Sequence, residues 1–238
     1  MAGKNAALGS SKNSDSFTAV KAYLLLYNSV QVVGWAYVLF LTVNHFISGK
    51  NVATLWDVVK PTLLIFQNAA LLEVLNVALG YVRSNLMVTF LQVMSRVIVV
   101  CGVLWATPTA PLSYGLPMLL IAWSVTEVIR YSFYALNIIG AVPYLLIWCR
   151  YTFFYALYPI GVTGELLCIF AAQSFIGQTK QWTIELPNYL NFTFSYCYFL
   201  LAIMGTYPFI FPQLYLYMID QRKKVIVNPK DKKHSCTK

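Results

Sequence analysis

Charged side chains are scarce in this chain: Asp, Glu, Lys and Arg make up 11% of its 238 residues, whereas 59% of the residues are hydrophobic. A typical soluble domain has about 25% charged residues, because its surface must interact with water. So little charge excludes an ordinary water-exposed globular surface. It indicates a chain that folds largely within a lipid bilayer.

Histidine is almost absent too, since the chain contains only His45 and His234. This excludes a histidine-based metal cluster and leaves little material for a Ser-His-Asp triad. The five cysteines have neither the spacing of a disulfide framework nor that of a metal site, so we interpret them as packing residues. We therefore expect no metal and no cofactor, and any chemistry must use other side chains.

Long apolar stretches are what the chain has in abundance. Six of them reach the ~20 residues that a helix needs to cross the hydrocarbon core of a membrane. They cover residues 22–47, 55–79, 86–105, 115–138, 143–172 and 189–217. The sequence therefore predicts an all-α integral membrane protein, a six-transmembrane-helix bundle.

The two ends of the chain differ from this apolar middle. Residues 1–20 are polar, with many Ser, Asn and Lys, and lack the apolar region of a cleaved signal peptide, so we expect a disordered cytosolic tail. Residues 221–238 are predicted to form a basic cytosolic C-terminal tail. Between these tails, residues 21–220 are predicted to be a single membrane domain.

The basic residues are distributed unevenly about the predicted spans. With six spans both tails share one side of the membrane, and eleven Lys and Arg residues lie on that side against three on the other. The positive-inside rule then places both termini in the cytosol. The net charge of +9 does not indicate a nucleic-acid partner, because the basic residues lie at the chain ends and not among aromatic side chains on a folded surface.

Six ionisable residues lie in the interior of the predicted spans, away from the span ends, where each charge costs at least ~2.5 to 3.5 kcal/mol to insert. They are Glu73, Arg96, Glu127, Arg130, Arg150 and Glu165. Three acids and three bases can cancel in a network that only holds helices together. Glu127 and Arg130, three residues apart on one helix, are predicted to pair. Glu73 and Arg96 either pair across adjacent spans or contact a substrate.

Tyr151, Tyr158 and Glu165 recur every seven residues in the fifth span, which brings them to nearly the same face of a helix. Seven residues rise ~10.5 Å, so Tyr158 and Glu165 are too far apart for direct contact, but both can reach a substrate placed between them. This stripe is a candidate catalytic site. The alternative is packing, which is the usual role of a tyrosine in a chain that has 17 of them.

Pro159 lies in the same span and cannot donate a backbone hydrogen bond to the carbonyl of Tyr155. Gly161 and Gly164 permit a close approach of backbone or ligand. Interrupted helices occur in membranes where the backbone lines a cavity or is buried in protein. We therefore expect a distorted helix at the candidate site.

Several segments of the chain match the motifs of one family of membrane enzymes. They are LLEVL at 71–75, QVMSR at 92–96, WSVTEVIRYSFY at 123–134, RYT at 150–152, YPIGVTGEL at 158–166 and FPQLY at 211–215. Over about residues 21–224 the chain resembles the very-long-chain (3R)-3-hydroxyacyl-CoA dehydratases, also called protein tyrosine phosphatase-like proteins. In that family the Tyr and Glu of a Y-P-x-G-x-x-x-E motif are the catalytic pair, which implies this role for Tyr158 and Glu165.

The resemblance implies a hydro-lyase that converts a long-chain (3R)-3-hydroxyacyl-CoA to the trans-2-enoyl-CoA, the third step of each cycle of very-long-chain fatty-acid elongation. It also implies a place in the endoplasmic reticulum membrane, with elongase, ketoreductase and enoyl reductase as partners. The reaction needs one acid and one base. We expect Glu165 to protonate the leaving hydroxyl and Tyr158 to take the C2 proton, with Arg150 or Arg130 stabilising the phenolate. The reversed assignment is also chemically reasonable.

Further residues are candidates for binding the substrate or supporting the pair. They are Tyr151, Arg150, Arg130, Glu127, Glu73, Arg96 and Gly161. At the cytosolic mouth, Lys21, Arg222, Lys223 and Lys224 are candidates for contacts with the CoA phosphates. The simpler interpretation of these basic residues is a solvated surface attracted to anionic lipid.

Two other functions, a small transporter and a catalytically silent scaffold, compete with the dehydratase, and one more, a phosphatase, is excluded. Residues 76–83 align with the signature of cysteine phosphatases, but Val77 stands in the place of the nucleophile, which excludes phosphatase activity at this site. A small transporter would also hold ionisable residues near the midplane, although no inverted repeat is visible. The other competing function is a catalytically silent membrane scaffold, and the intact Tyr158 and Glu165 argue against it.

Overall fold

The computed structural model describes the backbone of residues 2–189 and 191–227 and the side chains of residues 18–189 and 191–226. Eight α-helices make up most of this part of the chain. They are α1 (Ala2–Ile47), α2 (Leu55–Ala69), α3 (Leu71–Ala78), α4 (Leu86–Val97), α5 (Gly115–Ile139), α6 (Tyr144–Thr152), α7 (Phe154–Thr179) and α8 (Tyr196–Arg222). Short 3₁₀ turns at Val52–Thr54 and Ala110–Leu112 and π-helical segments at Ile98–Leu104 and Lys223–Val227 adjoin them. Apart from an isolated bridge between Ile184 and Phe194, the described residues form no β-structure, which confirms the all-α prediction for them.

Five helical segments are long and apolar enough to cross a membrane. They are Thr18–Ile47, Val52–Ala78, Leu86–Leu104, Phe154–Thr179 and Tyr196–Ile226. The helix α5 is not among them, although it has 25 residues. It carries Glu127 and Arg130 and packs between α1 and α7, so protein side chains and not lipid surround much of it. The chain therefore has several helices able to span a membrane, and the number six stays a prediction.

Two glycines allow α5 and α7 to approach each other closely. A Cβ atom on Gly164 of α7 would lie 2.7 Å from the backbone nitrogen of Leu119 and 2.8 Å from the carbonyl oxygen of Gly115 on α5. No side chain larger than hydrogen fits there without moving the backbone. Next to this contact, Cys168 and Ile169 are buried. The backbones of α5 and α7 are therefore in contact at Gly164, the residue that precedes Glu165.

The helices α2 and α3 are separated at Ala70. Tyr27 of α1 donates a hydrogen bond of 3.1 Å to the carbonyl of Ala69, one of the carbonyl groups that a helix end leaves without an internal donor. The helix α3 then starts with Glu73 in its first turn. Contact between α1 and the end of α2 therefore places an acidic side chain beside α5.

The predicted fifth span is two helices, α6 and α7, separated at Phe153. The two helices are anchored to different neighbours. Arg150 of α6 lies over the ring of Phe133 on α5, whereas Phe154 of α7 packs against Tyr215 of α8. The two helices meet at Phe153, whose φ of −64° and ψ of −21° stay in the right-handed helical region.

The sixth predicted span also begins later than expected, at Tyr196. Residues 180–189 and 191–195 lie between α7 and α8, and among them Lys180, Trp182 and Asn191 adopt positive φ angles. This left-handed backbone conformation cannot continue a right-handed helix. It ends α7 at Lys180 and delays the start of α8.

The helix α1 begins at Ala2, so it includes residues 2–20, for which the sequence predicted a cytosolic tail. Extending an existing helix is favoured because each added residue gains one hydrogen bond without a new nucleation step. The segment able to span a membrane begins only at Thr18. The division between tail and membrane domain stays a prediction.

Candidate active site

The carboxylate of Glu165 is held from two sides by side chains of other helices. Trp123 of α5 donates its indole N–H to Oε1 over 2.9 Å, and Tyr207 of α8 donates its hydroxyl to Oε2 over 2.7 Å. A carboxylate with a donor on each oxygen has little freedom to rotate. The position of Glu165 is therefore set by three helices, α5, α7 and α8.

Tyr158, two helical turns before Glu165, is fixed by aromatic stacking. Its ring lies nearly parallel to that of Phe211, with 5.0 Å between centroids and 6° between planes. Tyr215 stacks on the same ring at 6.3 Å and 10°. Tyr207, Phe211 and Tyr215 are spaced by four residues and so share one face of α8. This single face of α8 contacts both Tyr158 and Glu165.

The helix α7 continues through Pro159, from Phe154 to Thr179, so the proline does not interrupt the helix at the candidate site. Because proline has no N–H, the carbonyl of Tyr155 lacks its helical donor. The hydroxyl of Tyr215 lies 3.4 Å from this carbonyl oxygen and donates to it. The same tyrosine therefore stacks on Tyr158 and replaces the missing backbone hydrogen bond one turn away.

Gly161 is buried against the wall formed by α5, as its candidate role requires. A Cβ atom at this position would lie 3.4 Å from the Cβ of Ala122 and 3.7 Å from Cδ1 of Trp123. Together with the backbone contact at Gly164, this brings α5 near enough for Trp123 to reach Glu165. The two glycines thus contribute to the site through helix packing.

A cluster of four charged residues adjoins this pair. Glu127, almost fully buried, forms ion pairs with Arg96 of α4 and with Arg130, the latter at 2.6 Å. Arg130 also binds both oxygens of Glu73, at 2.8 and 2.9 Å, and Tyr131 donates its hydroxyl to Glu73. The predicted pairing of Glu127 with Arg130 is confirmed.

Glu73 and Arg96 do not pair with each other, so that alternative was wrong. The guanidinium of Arg130 reaches two carboxylates at once, because its donors are arranged as a planar fork. Arg130 therefore pairs with both Glu73 and Glu127, and Glu127 also pairs with Arg96. The four residues form one chain of charges across α3, α4 and α5 with no net charge.

Arg96 connects this cluster to the candidate catalytic pair. Its guanidinium lies 5.2 Å from the ring of Trp123, whose N–H binds Glu165. Arg96 is therefore the cation that reaches Glu165 through Trp123, whereas Arg130 pairs with Glu73 and Glu127 and Arg150 lies over Phe133.

Arg150 and Tyr151 lie on α6, outside the α7 stripe. Arg150 lies over Phe133 at 4.3 Å and over Tyr134 at 4.9 Å, and its guanidinium is 5.9 Å from the ring of Tyr151. The break at Phe153 separates Tyr151 from the helix that carries Tyr158 and Glu165. Tyr151 therefore lies on a different helix from Tyr158 and Glu165, and a shared site of the three residues stays a prediction.

The basic residues predicted at the mouth lie at the ends of helices. Lys21 is near the start of the first membrane-crossing segment, and Arg222 is the last residue of α8. The guanidinium of Arg222 lies 5.6 Å from the ring of Tyr155, and Lys223 approaches Asp220 at 3.6 Å. Residues 228–238, which include most of the predicted basic tail, lie outside the described residues.

Neither Trp123 nor Tyr207 was predicted as a site residue. Trp123 stands in one of the matched segments, but nothing about its position along the chain indicates a partner on α7. Tyr207 is one of 17 tyrosines, and its only local signal is the four-residue spacing with Phe211 and Tyr215. Within the described ranges, no three His, Cys, Asp or Glu side chains are gathered closely enough to hold a metal ion.

Known proteins resemble the chain over most of its length. A family model described as protein tyrosine phosphatase-like protein, PTPLA, matches residues 67–228. A very-long-chain (3R)-3-hydroxyacyl-CoA dehydratase of Caenorhabditis elegans is 46% identical over 216 residues, which are 90% of this chain and 99% of that protein. The very-long-chain (3R)-3-hydroxyacyl-CoA dehydratase 2 of Homo sapiens is 42% identical over 212 residues, which are 89% of this chain and 84% of that protein.

A more distant plant relative shows the same similarity. The very-long-chain (3R)-3-hydroxyacyl-CoA dehydratase PASTICCINO 2 of Arabidopsis thaliana is 34% identical over 211 residues, 88% of this chain and 95% of that protein. No solved structure matches the chain. The resemblance inferred from the motifs is confirmed by these similarities.

Proposed function

Since the chain belongs to the protein tyrosine phosphatase-like (PTPLA) family, we propose that it is a hydro-lyase that removes water from a long-chain (3R)-3-hydroxyacyl-CoA to give the trans-2-enoyl-CoA. This is the dehydration step of very-long-chain fatty-acid elongation. The observation that carries the proposal is the arrangement of Tyr158 and Glu165. Both lie two turns apart on α7, and α8 holds both through one face.

Tyr158 and Glu165 are the two proton-transfer groups of this proposal. In the reaction the C2–H bond breaks, the double bond forms between C2 and C3, and the 3-hydroxyl leaves as water after taking a proton. Glu165 supplies the proton to the leaving hydroxyl and Tyr158 accepts the proton from C2. The reversed order uses the same two groups and balances equally.

The partners of Glu165 suit a carboxyl group that gains and loses a proton. The indole of Trp123 can only donate, so it is matched to an oxygen that stays an acceptor. The hydroxyl of Tyr207 can donate to the carboxylate or accept from the carboxylic acid. Both protonation states of Glu165 can therefore keep two hydrogen bonds without a rearrangement of the helices.

Arg96 is placed to stabilise the negative charge of the reaction. As the C2 proton leaves, charge builds on the thioester oxygen, and a fixed cation beside that oxygen lowers the barrier. Arg96 is held by Glu127 and lies against Trp123. In turn Arg130, Glu73 and Glu127 hold Arg96 in place, which is their proposed contribution.

The acyl chain and the CoA group of the substrate differ in polarity and therefore bind in different places. The acyl chain gains ~0.8 kcal/mol for each methylene group that moves from water into an apolar environment, so the helix bundle is the natural place for it. The CoA phosphates stay in water at the mouth, where Lys21, Arg222, Lys223 and Lys224 are candidates for contact. Tyr151, Arg150 and Gly161 are proposed to shape the space between these two parts.

We propose six membrane spans, which are the five apolar helical segments and α5. The helices α6 and α7 cross the membrane together as one of these spans. Both termini then lie in the cytosol, as the excess of basic residues near the ends requires. The proposed location is the endoplasmic reticulum membrane, together with the elongase, ketoreductase and enoyl reductase. Their products and substrates are all long-chain acyl-CoA species.

A dehydration assay tests the function directly. Purified protein in detergent is mixed with a long-chain (3R)-3-hydroxyacyl-CoA, and formation of the trans-2-enoyl-CoA is followed by mass spectrometry. Turnover is expected. A silent scaffold would leave the substrate unchanged, and a transporter reconstituted in vesicles would move a solute without forming the enoyl product.

A further inference from the structure

We propose that Arg222 binds a phosphate group of CoA and that the aromatic face between Arg222 and Tyr158 guides the pantetheine arm to the reacting carbons. This inference rests on the proposed function, since it names the part of the substrate that each element holds. It also assigns the phosphate contact to Arg222 and not to the neighbouring Lys223 and Lys224, which are candidates for the same contact.

The guanidinium of Arg222 has a donor that the protein does not satisfy. Its Nε atom is buried and has no hydrogen-bond partner among the described residues. No carboxylate of that part of the chain pairs with it, and its one ring contact is with Tyr155 at 5.6 Å. Lys223, the next residue, approaches Asp220 instead, and both of those side chains are well exposed. Arg222 itself is partly exposed, and a guanidinium that has no carboxylate partner in the described residues is suited to an incoming anion.

Arg222 is connected to the catalytic tyrosine by an unbroken series of ring contacts. Its guanidinium lies over Tyr155, whose ring lies 6.2 Å from that of Tyr215. Tyr215 in turn stacks on Tyr158 at 6.3 Å, beside Phe211. The series joins the end of α8 to Tyr158 along the surfaces where α7 and α8 meet.

The length of this path fits the substrate. From Phe211, which stacks on Tyr158, to Arg222 there are eleven residues of α8, a rise of ~16 Å. In CoA thioesters the extended pantetheine arm separates the thioester from the phosphates by a comparable length. With the thioester beside Tyr158, the phosphates therefore lie near the end of α8, and Arg222 is the arginine at that level.

The chemistry of arginine favours a phosphate as the anion. A planar guanidinium donates two parallel hydrogen bonds to phosphate oxygens, whereas a lysine presents only a point charge. A phospholipid headgroup offers the same phosphate chemistry as CoA. The two sources differ in one respect that can be tested, because only CoA is attached to the reacting acyl chain.

The experiment compares two substrates with the same acyl chain, one attached to CoA and the other to pantetheine, which has no phosphate. For the Arg222→Gln protein in a phosphate-free detergent, we expect the KM of the CoA substrate to rise roughly tenfold, the order expected when a charge-assisted hydrogen bond is lost. The kcat and KM for the pantetheine thioester should stay within about twofold of wild type, because no phosphate is there to contact Arg222. Arg83→Gln, in the exposed loop between α3 and α4, removes the same charge and should change neither substrate's kinetics.

Each other outcome decides against the inference. Equal losses on both substrates assign Arg222 to packing of α7 against α8, and no loss on either shows that it contacts nothing in the reaction. A loss on both substrates that appears only when phospholipid is added assigns the site to a lipid headgroup. Failure of the wild type to dehydrate either substrate would instead refute the proposed function.

A measurement on wild-type protein does not depend on the variant's folding. Free CoA and free pantetheine are compared as inhibitors of turnover of the pantetheine thioester. CoA should give the same inhibition at a concentration at least about tenfold lower, because only CoA brings phosphate groups to Arg222. Arg222→Lys keeps the charge without the fork and should reduce this difference. Equal inhibition by the two compounds overturns the inference.

Discussion

Tyr207 and Glu165, 42 residues apart in the chain, are joined by a hydrogen bond of 2.7 Å from the tyrosine hydroxyl to Oε2 of the carboxylate. The contact crosses from α8 to α7. It makes α8 a part of the site, although the motif that identifies the family's catalytic pair lies wholly on α7. Most of the predictions below depend on such contacts between helices.

Removing the hydroxyl of Tyr207 should lower kcat and leave KM nearly unchanged, because the contact positions Glu165 and does not bind substrate. Tyr207→Phe is expected to lower kcat roughly tenfold, which corresponds to ~1.4 kcal/mol, close to the lower limit of ~1.5 to 3 kcal/mol for one hydrogen bond to a charged group. Trp123→Phe, which removes the donor on Oε1, should have an effect of similar size. Steady-state kinetics with a long-chain 3-hydroxyacyl-CoA measure both.

The matched control is Tyr198→Phe, at an exposed position on the same helix. It should change neither kcat nor KM. If Tyr207→Phe lowers only the yield of folded protein, with kcat per folded molecule unchanged, the hydroxyl has a structural role and the positioning role is refuted.

Tyr158→Phe and Glu165→Gln should each lower kcat at least ~100-fold, since each removes a proton-transfer group and keeps the shape of the side chain. Folded protein should remain near the wild-type level. The double variant should be scarcely worse than the poorer single variant, because one chemical step cannot be disabled twice. Kinetics and size-exclusion profiles of the three variants provide the measurement.

Two results would contradict this assignment. A Tyr158→Phe protein with activity within about tenfold of wild type, ~1.4 kcal/mol in the barrier, would show that Tyr158 transfers no proton. Multiplicative losses in the double variant would indicate separate roles in binding.

Glu127→Gln should destabilise the fold by at most about 3 to 5 kcal/mol, the range for breaking a buried ion pair, because Glu127 is buried but Arg96, which loses its carboxylate, is partly exposed. Arg130 keeps Glu73 as a partner, whereas Glu127 is the one carboxylate paired with Arg96 in the described part of the chain. A second change, Arg96→Gln, should therefore restore more thermal stability than Arg130→Gln does. Thermal unfolding in detergent reports the difference.

Both double variants should also be less destabilised than the sum of their single changes, since each pair is coupled. Strictly additive losses would show that the ion pairs carry no interaction energy. Equal rescue by Arg96→Gln and Arg130→Gln would show that Glu73 does not compensate Arg130.

Gly164→Ala should lower the thermal stability and the activity together, because its methyl group would overlap the backbone of α5. Overpacking of this kind costs about 1 to 3 kcal/mol. The control is Gly205→Ala on α8, where a Cβ atom meets nothing within 4 Å. That change should leave stability unaltered or raise it slightly, since alanine favours a helix more than glycine does. A stable, active Gly164→Ala protein would refute the close backbone contact.

Tags at the two termini should both be accessible to protease from outside sealed microsomes. Six spans place both ends on one face, and the excess of basic residues near the ends makes it the cytosolic face. A cysteine introduced in the loop between α7 and α8 should be protected from a membrane-impermeant thiol reagent under the same conditions. Tags on opposite faces would show an odd number of spans and remove α5 from the set.

Much of the local architecture could be predicted because it depends on neighbours in the chain. Apolar runs of membrane-spanning length predicted the helical class, and the three-residue spacing of Glu127 and Arg130 predicted their ion pair. The lack of an N–H at Pro159 predicted an unpaired carbonyl at Tyr155, which Tyr215 now binds. Each of these inferences needs only the geometry of one helix.

Local geometry was not sufficient where two helices compete for the same side chain. Arg96 and Glu73 are both within reach of partners of opposite charge, and which pair forms depends on the position of α5 between them. Tyr151 shares its seven-residue spacing with Tyr158, but contacts of Arg150 with α5 and of Phe154 with α8 separate the two helices. Sequence spacing contains no information about these neighbours.

The sequence by itself determined that the chain is helical, lies in a membrane and carries Tyr158 and Glu165 two turns apart, because period and composition are local properties. Only the tertiary structure decided that Trp123 and Tyr207 hold the carboxylate and that Arg96 is the cation that reaches it through Trp123. The physical reason is distance along the chain. Contacts across 42 residues depend on how α5, α7 and α8 pack, and the close approach at Gly115 and Gly164 sets part of that packing.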